Sequence, residues 1–255
     1  MLNKLKENFL LRSTFNYILR HYDTRRKIKG LNNYLFFNAG TNLHFFFKRE
    51  LQIENEASEN LNKLIKENFL VFDIGAHIGY YTVILSNLLK IGKLIAFEPN
   101  SDSVKYLKKN VEVNSLKNVS VVEKGISSKI GQSRFYKDIS TGRSSSLEIN
   151  AWHPNAAKIK EEIINTTTLD EATQQYGVPD FIKCDVEGHE LEVLKGASEV
   201  LKSKPILFLE VSSLNRKSIL EILHNHSYNI YNGEVLLESQ SQPLQNINCQ
   251  NIICI

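Results

Sequence analysis

The residues best suited to chemistry lie where apolar runs give way to helical patterns. Asp73-Ile74-Gly75-Ala76-His77-Ile78-Gly79 sets an acid and two glycines at such a junction. A glycine there lets backbone approach a bound molecule closely, because no Cβ intervenes and positive φ is allowed. The spacing is Asp-x-Gly-x-x-x-Gly and lacks the third glycine of the tighter Gly-x-Gly-x-x-Gly turn, whose helix N-terminus faces a pyrophosphate. A leading Asp suits a cationic ligand better than a phosphate. Glu98 follows Gly79 by 19 positions, at the end of the next apolar run and just before Pro99. A carboxylate placed there can accept hydrogen bonds from both hydroxyls of a ribose, and Pro99, which has no N–H, ends the strand. A cationic nucleoside without phosphate, S-adenosylmethionine, fits these groups. Asp73, Gly75, Ala76, His77, Gly79, Glu98 and Pro99, with Asp185 farther along the chain, are the candidate cofactor-binding residues.

A second constellation is Lys183-Cys184-Asp185-Val186-Glu187-Gly188-His189-Glu190. Asp185 and Glu187 stand two apart at a strand end, so in extended backbone they face the same way. Gly188 permits a sharp exit, and His189 and Glu190 open the next helix. Acids and an imidazole crowded at one crevice shift each other's pKa values, as in working sites.

Parallel strands alternating with helices must position these groups. Strands are expected at 70–74, 93–97, 119–122, 181–184 and 206–211, with helices at 80–89, 102–111, 190–201 and 217–223. That rhythm argues for a parallel sheet covered by helices on both faces, with ligands bound outside the carboxyl ends of the strands. Two β-rich runs, 228–235 and 248–255, have no helix between them and are expected to pair as an antiparallel hairpin at one edge. Residues 1–68 lack the alternation and read as a helical cap, with Phe36, Phe37, Phe45, Phe46 and Phe47 as packing residues. Residues 69–255 form the main domain. Between 132 and 165 the pattern is less regular, and Ser140 to Leu147 is a polar loop signal.

The chain's 255 residues, 42% hydrophobic and 23% charged, match an ordinary globular protein of one large domain. No apolar run is long enough to cross a bilayer. Three scattered cysteines, Cys184, Cys249 and Cys254, suggest neither a disulfide framework nor zinc, so a reducing, cytoplasmic setting is the expectation. Residues 1–30 hold eight Lys and Arg against Glu7 and Asp23, a net of +6, which leaves the rest at −3. A basic leader of this kind suits peripheral contact with a membrane, a polyanion or an acidic partner, although a solvated helical face is the preferred reading.

Taken in order, the Asp73 to Thr82 block, Phe97-Glu98-Pro99, Thr168-Leu169-Asp170, the Lys183 to Glu190 block and Leu194-Lys195-Gly196-Ala197 resemble the FkbM family of S-adenosylmethionine-dependent methyltransferases. The match runs from about residue 70 to residue 211. At position 77 this chain has His where the family often has Asn. The resemblance implies an α/β, class I (Rossmann-like) methyltransferase fold: a seven-stranded, mostly parallel sheet whose last two strands form a hairpin. It also implies O-methylation, frequently of sugar or natural-product hydroxyls.

A hydroxyl acceptor needs a general base. His189 is the first candidate because imidazole titrates near neutral pH, with Asp185 and Glu187 beside it as catalytic residues. The other reading of His189 is a helix-start residue that bonds locally, and His153, beside Trp152, is a second choice. Arg143, Ser144, Ser145 and Glu210 are expected to line the acceptor site. Asp185, Glu187 and Glu210 have an alternative use in holding a divalent cation, but no third ligand is fixed by spacing and the metal-free reading is preferred. An NAD-dependent oxidoreductase shares the sheet but lacks the third glycine and a reason for the hairpin. A non-catalytic cofactor-binding relative that docks through the basic leader is the remaining alternative. A nucleic-acid substrate is disfavoured, because no Asn/Asp-Pro-Pro-aromatic or Pro-Cys motif exists and the body is mildly acidic.

Overall fold

The computed structural model describes residues 18–52, 55–138, 145–146, 159–240 and 242–255. In chain order the elements are β1 (Asp23–Ile28), β2 (Tyr34–Asn38), α1 (Leu43–Phe46), β3 (Glu50–Leu51), α2 (Asn55–Leu64), β4 (Leu70–Ile74), α3 (Tyr80–Leu88), β5 (Lys93–Phe97) and α4 (Ser101–Val113). Then come β6 (Val119–Val122), β7 (Gly125–Ile126), β8 (Gly131–Asp138), β9 (Ser145–Ser146), β10 (Ile159–Thr167), α5 (Leu169–Tyr176) and β11 (Phe181–Cys184). The chain closes with α6 (Glu190–Lys195), α7 (Ser198–Lys202), β12 (Ile206–Glu210), α8 (Arg216–Asn225), β13 (Ile230–Asn232) and β14 (Asn251–Cys254).

The central sheet has seven strands in the order β13-β14-β12-β11-β4-β5-β6. β12, β11, β4, β5 and β6 run parallel, whereas β14 is antiparallel to both β12 and β13. This is the class I methyltransferase sheet with its terminal hairpin. The strands are short apolar runs because both faces are covered. Ala57 and Leu61 of α2, Leu85 of α3 and Leu107 of α4 bury against Val71, Leu94 and Phe181 on one face. On the other face Leu169, Val193, Leu194, Val200, Leu201, Ile219 and Leu223 pack against Phe72, Ile95 and Ile182.

The expected helix over 190–201 is two helices. Gly196 ends α6, and Asp170 starts α7 by accepting from the backbone N–H of Glu199 at 3.0 Å and of Val200 at 2.9 Å. Thr168 caps α5 through the N–H of Glu171 at 3.1 Å. The Thr168-Leu169-Asp170 motif is therefore a pair of helix starts, each satisfying otherwise unpaired N–H groups.

The N-terminal segment corrects the expectation of a helical cap. α2 is helical and belongs to the main sandwich, but the described residues before it hold a three-stranded sheet, β2-β1-β3, beside the short helix α1. Leu35 and Phe37 are buried, in alternation with Tyr34 and Phe36, which is a strand period. In β1 the charged residues stand outward or half-buried beside Ile28. The edge strand β2 is held by amide side chains of α4. Asn110 accepts from Phe36 N at 2.7 Å and donates to Phe36 O at 2.9 Å, and Asn114 does the same for Tyr34 at 2.9 and 2.8 Å. Positions 110 and 114 are one helical turn apart, so they stack on one face and meet alternate residues of a strand.

The segment expected to be irregular holds a third, four-stranded sheet, β7-β10-β8-β9. β8 and β10 pair antiparallel over eight positions. Lys137 of β8 is buried and pairs with Glu162 of β10 at 2.6 Å and Asp102 of α4 at 3.2 Å, which ties this sheet to the main domain. Among the described residues no helix is long and apolar enough to cross a membrane.

Candidate active site

Two clefts lie beside the carboxyl ends of β4, β5, β11 and β12. The first is lined by Ile74, Gly75 and His77, by Phe97, Glu98 and Pro99, by Lys124, Gly125, Ile126 and Phe135 from the four-stranded sheet and its approach, and by Ser103, Asp185, Val186 and Glu187. Apolar and aromatic side chains share its walls with the carboxylates of Glu98, Asp185 and Glu187.

Glu98 is 6% exposed, and each of its oxygens is held by a backbone N–H. His77 N donates to Oε2 and Asn100 N donates to Oε1, both at 2.8 Å. Burial raises its pKa to about 7, opposed by those two N–H groups. The carboxylate is thus fixed at the cleft wall and keeps lone pairs for two further donors, which suits a vicinal diol.

The turn after β4 does not form an anion nest. Gly75 N and Ala76 N both donate to Phe97 O at 3.0 Å, His77 N is held by Glu98, and Gly79 N donates to Ala76 O at 2.8 Å. With four turn amides committed inside the protein, little is left to bind a pyrophosphate. Gly75 has φ +75°, and a Cβ there would fall on the carbonyl oxygen of Asp185. The glycine lets two strand ends close on each other to make the cleft floor. His77 is half-buried at the cleft with φ +52°, and burial lowers its pKa to about 4, so the ring is neutral.

Asp73 lies behind that floor. Its carboxylate is fully buried, is absent from the lining of the first cleft, and accepts from Thr82 Oγ1 at 2.6 Å. Lys183, 3% exposed and opposite Asp73 in the β11–β4 register, lies 3.8 Å from Asp73 Oδ1 and 3.2 Å from Asp185 Oδ2. Its ammonium also stands 4.9 Å from the Tyr81 ring centroid. Burial opposes its charge, but the two aspartates raise its pKa above the usual lysine value. Asp185 stays ionised for the matching reason: burial works against the charge, yet Lys183 and a hydrogen bond from Glu210 hold its pKa down. Burial pushes Asp73 upward against Lys183 and Thr82. Asp73, expected to share the ligand with Glu98, does not line the cleft that Glu98 lines, and its Oδ1 is buried without a hydrogen-bond partner among the described residues. Lys183 was missed. Its signal was a lone charge in the otherwise apolar strand Phe181–Cys184, where only a paired charge is tolerated.

The second cleft is lined by Glu187, Gly188, Glu190, Glu210, Val211, Ser212, Ser213, Arg216 and Gln250. Glu187 borders both clefts, and Glu210 reaches across to Asp185. Glu187 holds φ +54° and Gly188 +96°, so the chain reverses sharply before α6. Glu190 pins this reversal by accepting from Val186 N at 3.2 Å and Gly188 N at 3.0 Å. Glu210 also accepts from Gln250 Nε2, and its pKa is pushed up to about 8 by burial and by Asp185.

His189 is 7% exposed, belongs to the lining of neither cleft, and sits 3.0 Å from Ser127 Oγ, 62 positions earlier, without capping α6 through its side chain. Burial lowers its pKa to about 4. Arg143, Ser144 and His153 lie outside the described residues, and of Ser145 only its backbone place in β9, opposite Lys137, is described. Among the described residues no three His, Cys, Asp or Glu side chains group to hold a metal ion.

The chain matches the Methyltransferase FkbM domain over residues 73–230. It is 30% identical over 181 residues to the hexuronic acid methyltransferase AglP of Haloferax volcanii, covering 69% of this chain and 70% of that protein. Among solved structures, it resembles methyltransferase FkbM from Methylobacillus flagellatus KT at 18% identity and a TM-score of 0.47, over 75% of this chain and 44% of that one. It also resembles M. jannaschii TYW2 in complex with AdoMet, at 14% identity and a TM-score of 0.48, over 91% and 84%. A family match across more than half of the chain, with a 30% identical relative aligned over most of both proteins, makes this chain a member of the FkbM methyltransferase family.

Proposed function

We propose that the protein is an S-adenosylmethionine-dependent O-methyltransferase that acts on a hydroxyl of a sugar, glycan or related natural product. Residues 69–255 carry the chemistry in this reading; of the described residues before them, β1 to β3 pack against α3 and α4, and α2 belongs to the main sandwich. The observation that carries it is Glu98: a buried carboxylate, oriented by two backbone N–H groups, on the wall of an apolar cleft whose turn amides are already used. That combination suits a ribose without a pyrophosphate, so it favours S-adenosylmethionine over NAD. The curated relative's hexuronic acid substrate supports a carbohydrate acceptor.

The residues present fit that cofactor. Glu98 would take the ribose hydroxyls, and Phe97, Ile126 and Phe135 would enclose a flat apolar base. Asp185 and Glu187 place negative charge where positive groups would lie. When bound, S-adenosylmethionine supplies a methyl group on a positively charged sulfur, which becomes a neutral thioether as the methyl passes to an oxygen. The protein's part is to hold the hydroxyl at the boundary of the two clefts and to take its proton as the O–C bond forms. Positioning carries much of the acceleration.

Glu210, hydrogen-bonded to Asp185 and at the acceptor side, is the proposed base in place of His189. Its raised pKa makes its carboxylate a stronger proton acceptor than an ordinary glutamate. No metal is called for, because Lys183 and Glu210 already face the Asp185 carboxylate. A reducing, cytoplasmic setting fits the free, buried Cys184, Cys249 and Cys254.

Calorimetric titration with S-adenosylhomocysteine and with NAD tests the cofactor. Binding of the first alone is expected, and binding of NAD instead would overturn the proposal. Release of S-adenosylhomocysteine across a glycan panel, with and without chelator, tests the reaction; turnover is expected to survive chelation.

A further inference from the structure

The second cleft combines two chemistries that a neutral sugar would not use together. Glu190 is 1% exposed, and while its Oε1 closes the Val186–Gly188 turn, its Oε2 is buried without a hydrogen-bond partner among the described residues. Ser212 Oγ and Arg216 Nε, on the same cleft, are likewise buried and unpartnered. Buried polar atoms in folded proteins are nearly always satisfied, so three on one cleft mark a place where a ligand completes the bonding.

Arg216 is the only Lys or Arg among the residues lining this cleft. Three glutamates line it too, yet Arg216 forms no ion pair within 4.0 Å among the described residues. It stands at the first position of α8, whose ten residues start without a side-chain cap and without an acid in the first turn. Helix dipole and guanidinium therefore add at one point. The point is fixed in place because Asn215 Nδ2 donates to Gly188 O at 3.0 Å, tying the start of α8 to the Glu187 turn.

We infer that this cleft is an acceptor subsite for a carboxylated sugar, with Arg216 and Ser212 receiving the carboxylate and Glu190 accepting from a ring hydroxyl. The inference rests on the proposed function and adds the acceptor's place and charge. A neutral sugar leaves Arg216 unpaired. A simple dianion such as sulfate has no hydroxyl donors for Glu190, and its second charge meets the glutamates more strongly than the single charge of a uronate. A uronate offers one planar carboxylate, which a guanidinium receives in a fork, and several hydroxyls that a glutamate accepts.

Methyl glycosides of glucuronic, galacturonic and mannuronic acid, each against its neutral methyl hexoside, test this by ligand-observed NMR titration in the presence of saturating S-adenosylhomocysteine. At least one uronoside is expected to bind the wild type about tenfold or more tighter than its neutral partner, the scale of a charge-assisted hydrogen bond. Arg216→Gln is expected to erase the difference, and Arg216→Lys to restore only part of it, while S-adenosylhomocysteine affinity stays within about twofold in both, since Arg216 lies outside the first cleft. Equal binding of uronosides and hexosides by the wild type, no binding of any panel sugar, or discrimination that survives Arg216→Gln would overturn the subsite. Failure of the wild type to bind S-adenosylhomocysteine would instead overturn the proposed function, so the two failures are separable.

Discussion

The turn after β4 and the turn after β11 are built from similar residues and end in opposite states. Each runs from an aspartate through a glycine into a helix, and they touch where Gly75 lies against the Asp185 carbonyl. In the first turn, Gly75, Ala76, His77 and Gly79 amides are committed, and Asp73 is buried on Thr82 and Lys183. In the second, Asp185 and Glu187 border a cleft, and Glu190 keeps one oxygen without a partner. Each turn keeps one buried carboxylate oxygen without a hydrogen-bond partner among the described residues, Asp73 Oδ1 and Glu190 Oε2. What separates the turns is that Asp185, Glu187 and Glu190 line clefts, whereas Asp73 lines neither.

Gly75→Ala attacks the contact between the two turns and is expected to have the largest effect. Positive φ and a Cβ against Asp185 O should cost about 3 kcal/mol of stability, measured by urea denaturation. A loss under about 1 kcal/mol would mean the turns are not held this closely.

Glu210→Gln removes the proposed base from the second turn's side. Loss of about a hundredfold in kcat is expected, the low end for general base catalysis. The pH profile supplies the sign. Glu210 is pushed up to about 8 and must lose its proton to act, so wild-type kcat should rise as pH climbs through about 8. The variant should lack that limb, and an unchanged profile would remove Glu210 from the role.

Asp73→Asn and Glu98→Gln should show crossed effects. The first breaks one partner of the buried Lys183 and should cost about 2 kcal/mol of stability with little change in S-adenosylhomocysteine affinity per folded molecule. Lys183 keeps Asp185, so the loss stays below that of isolating a charge. The second should weaken S-adenosylhomocysteine binding about tenfold with little loss of stability. Both substitutions acting alike on binding would dissolve the distinction between the turns. The smallest effect is expected for His189→Gln, which should hold kcat within about threefold because the ring bonds Ser127 away from both clefts; a hundredfold loss would restore it as the base.

How much was legible follows from what each segment needs in order to be recognised. The bounds of β4, β5 and β11 follow from the sequence because a strand buried on both faces must be a short apolar run, and each is closed by a glycine or an acid. The two outlying sheets were hidden. Tyr34-Leu35-Phe36-Phe37 is apolar at every position, so its alternation of burial emerges only when one side meets α3 and α4. In β8 and β10 the buried positions include Lys137 and Thr166, whose polar identity masks a strand period until Glu162, Asp102 and other partners arrive from elsewhere.

The sequence by itself determined the alternating architecture, the terminal hairpin and the family, because those rest on local periodicity and on contiguous motifs. Tertiary structure alone decided the surroundings of each acid. Asp73 faces Thr82 and Lys183, 9 and 110 positions away, Glu210 is tuned by Asp185 across neighbouring strand ends, and Arg216 shares a cleft with Glu190 while Asn215 docks on Gly188. A side chain's pKa and its unused hydrogen bonds depend on neighbours distant in sequence, which no local pattern encodes.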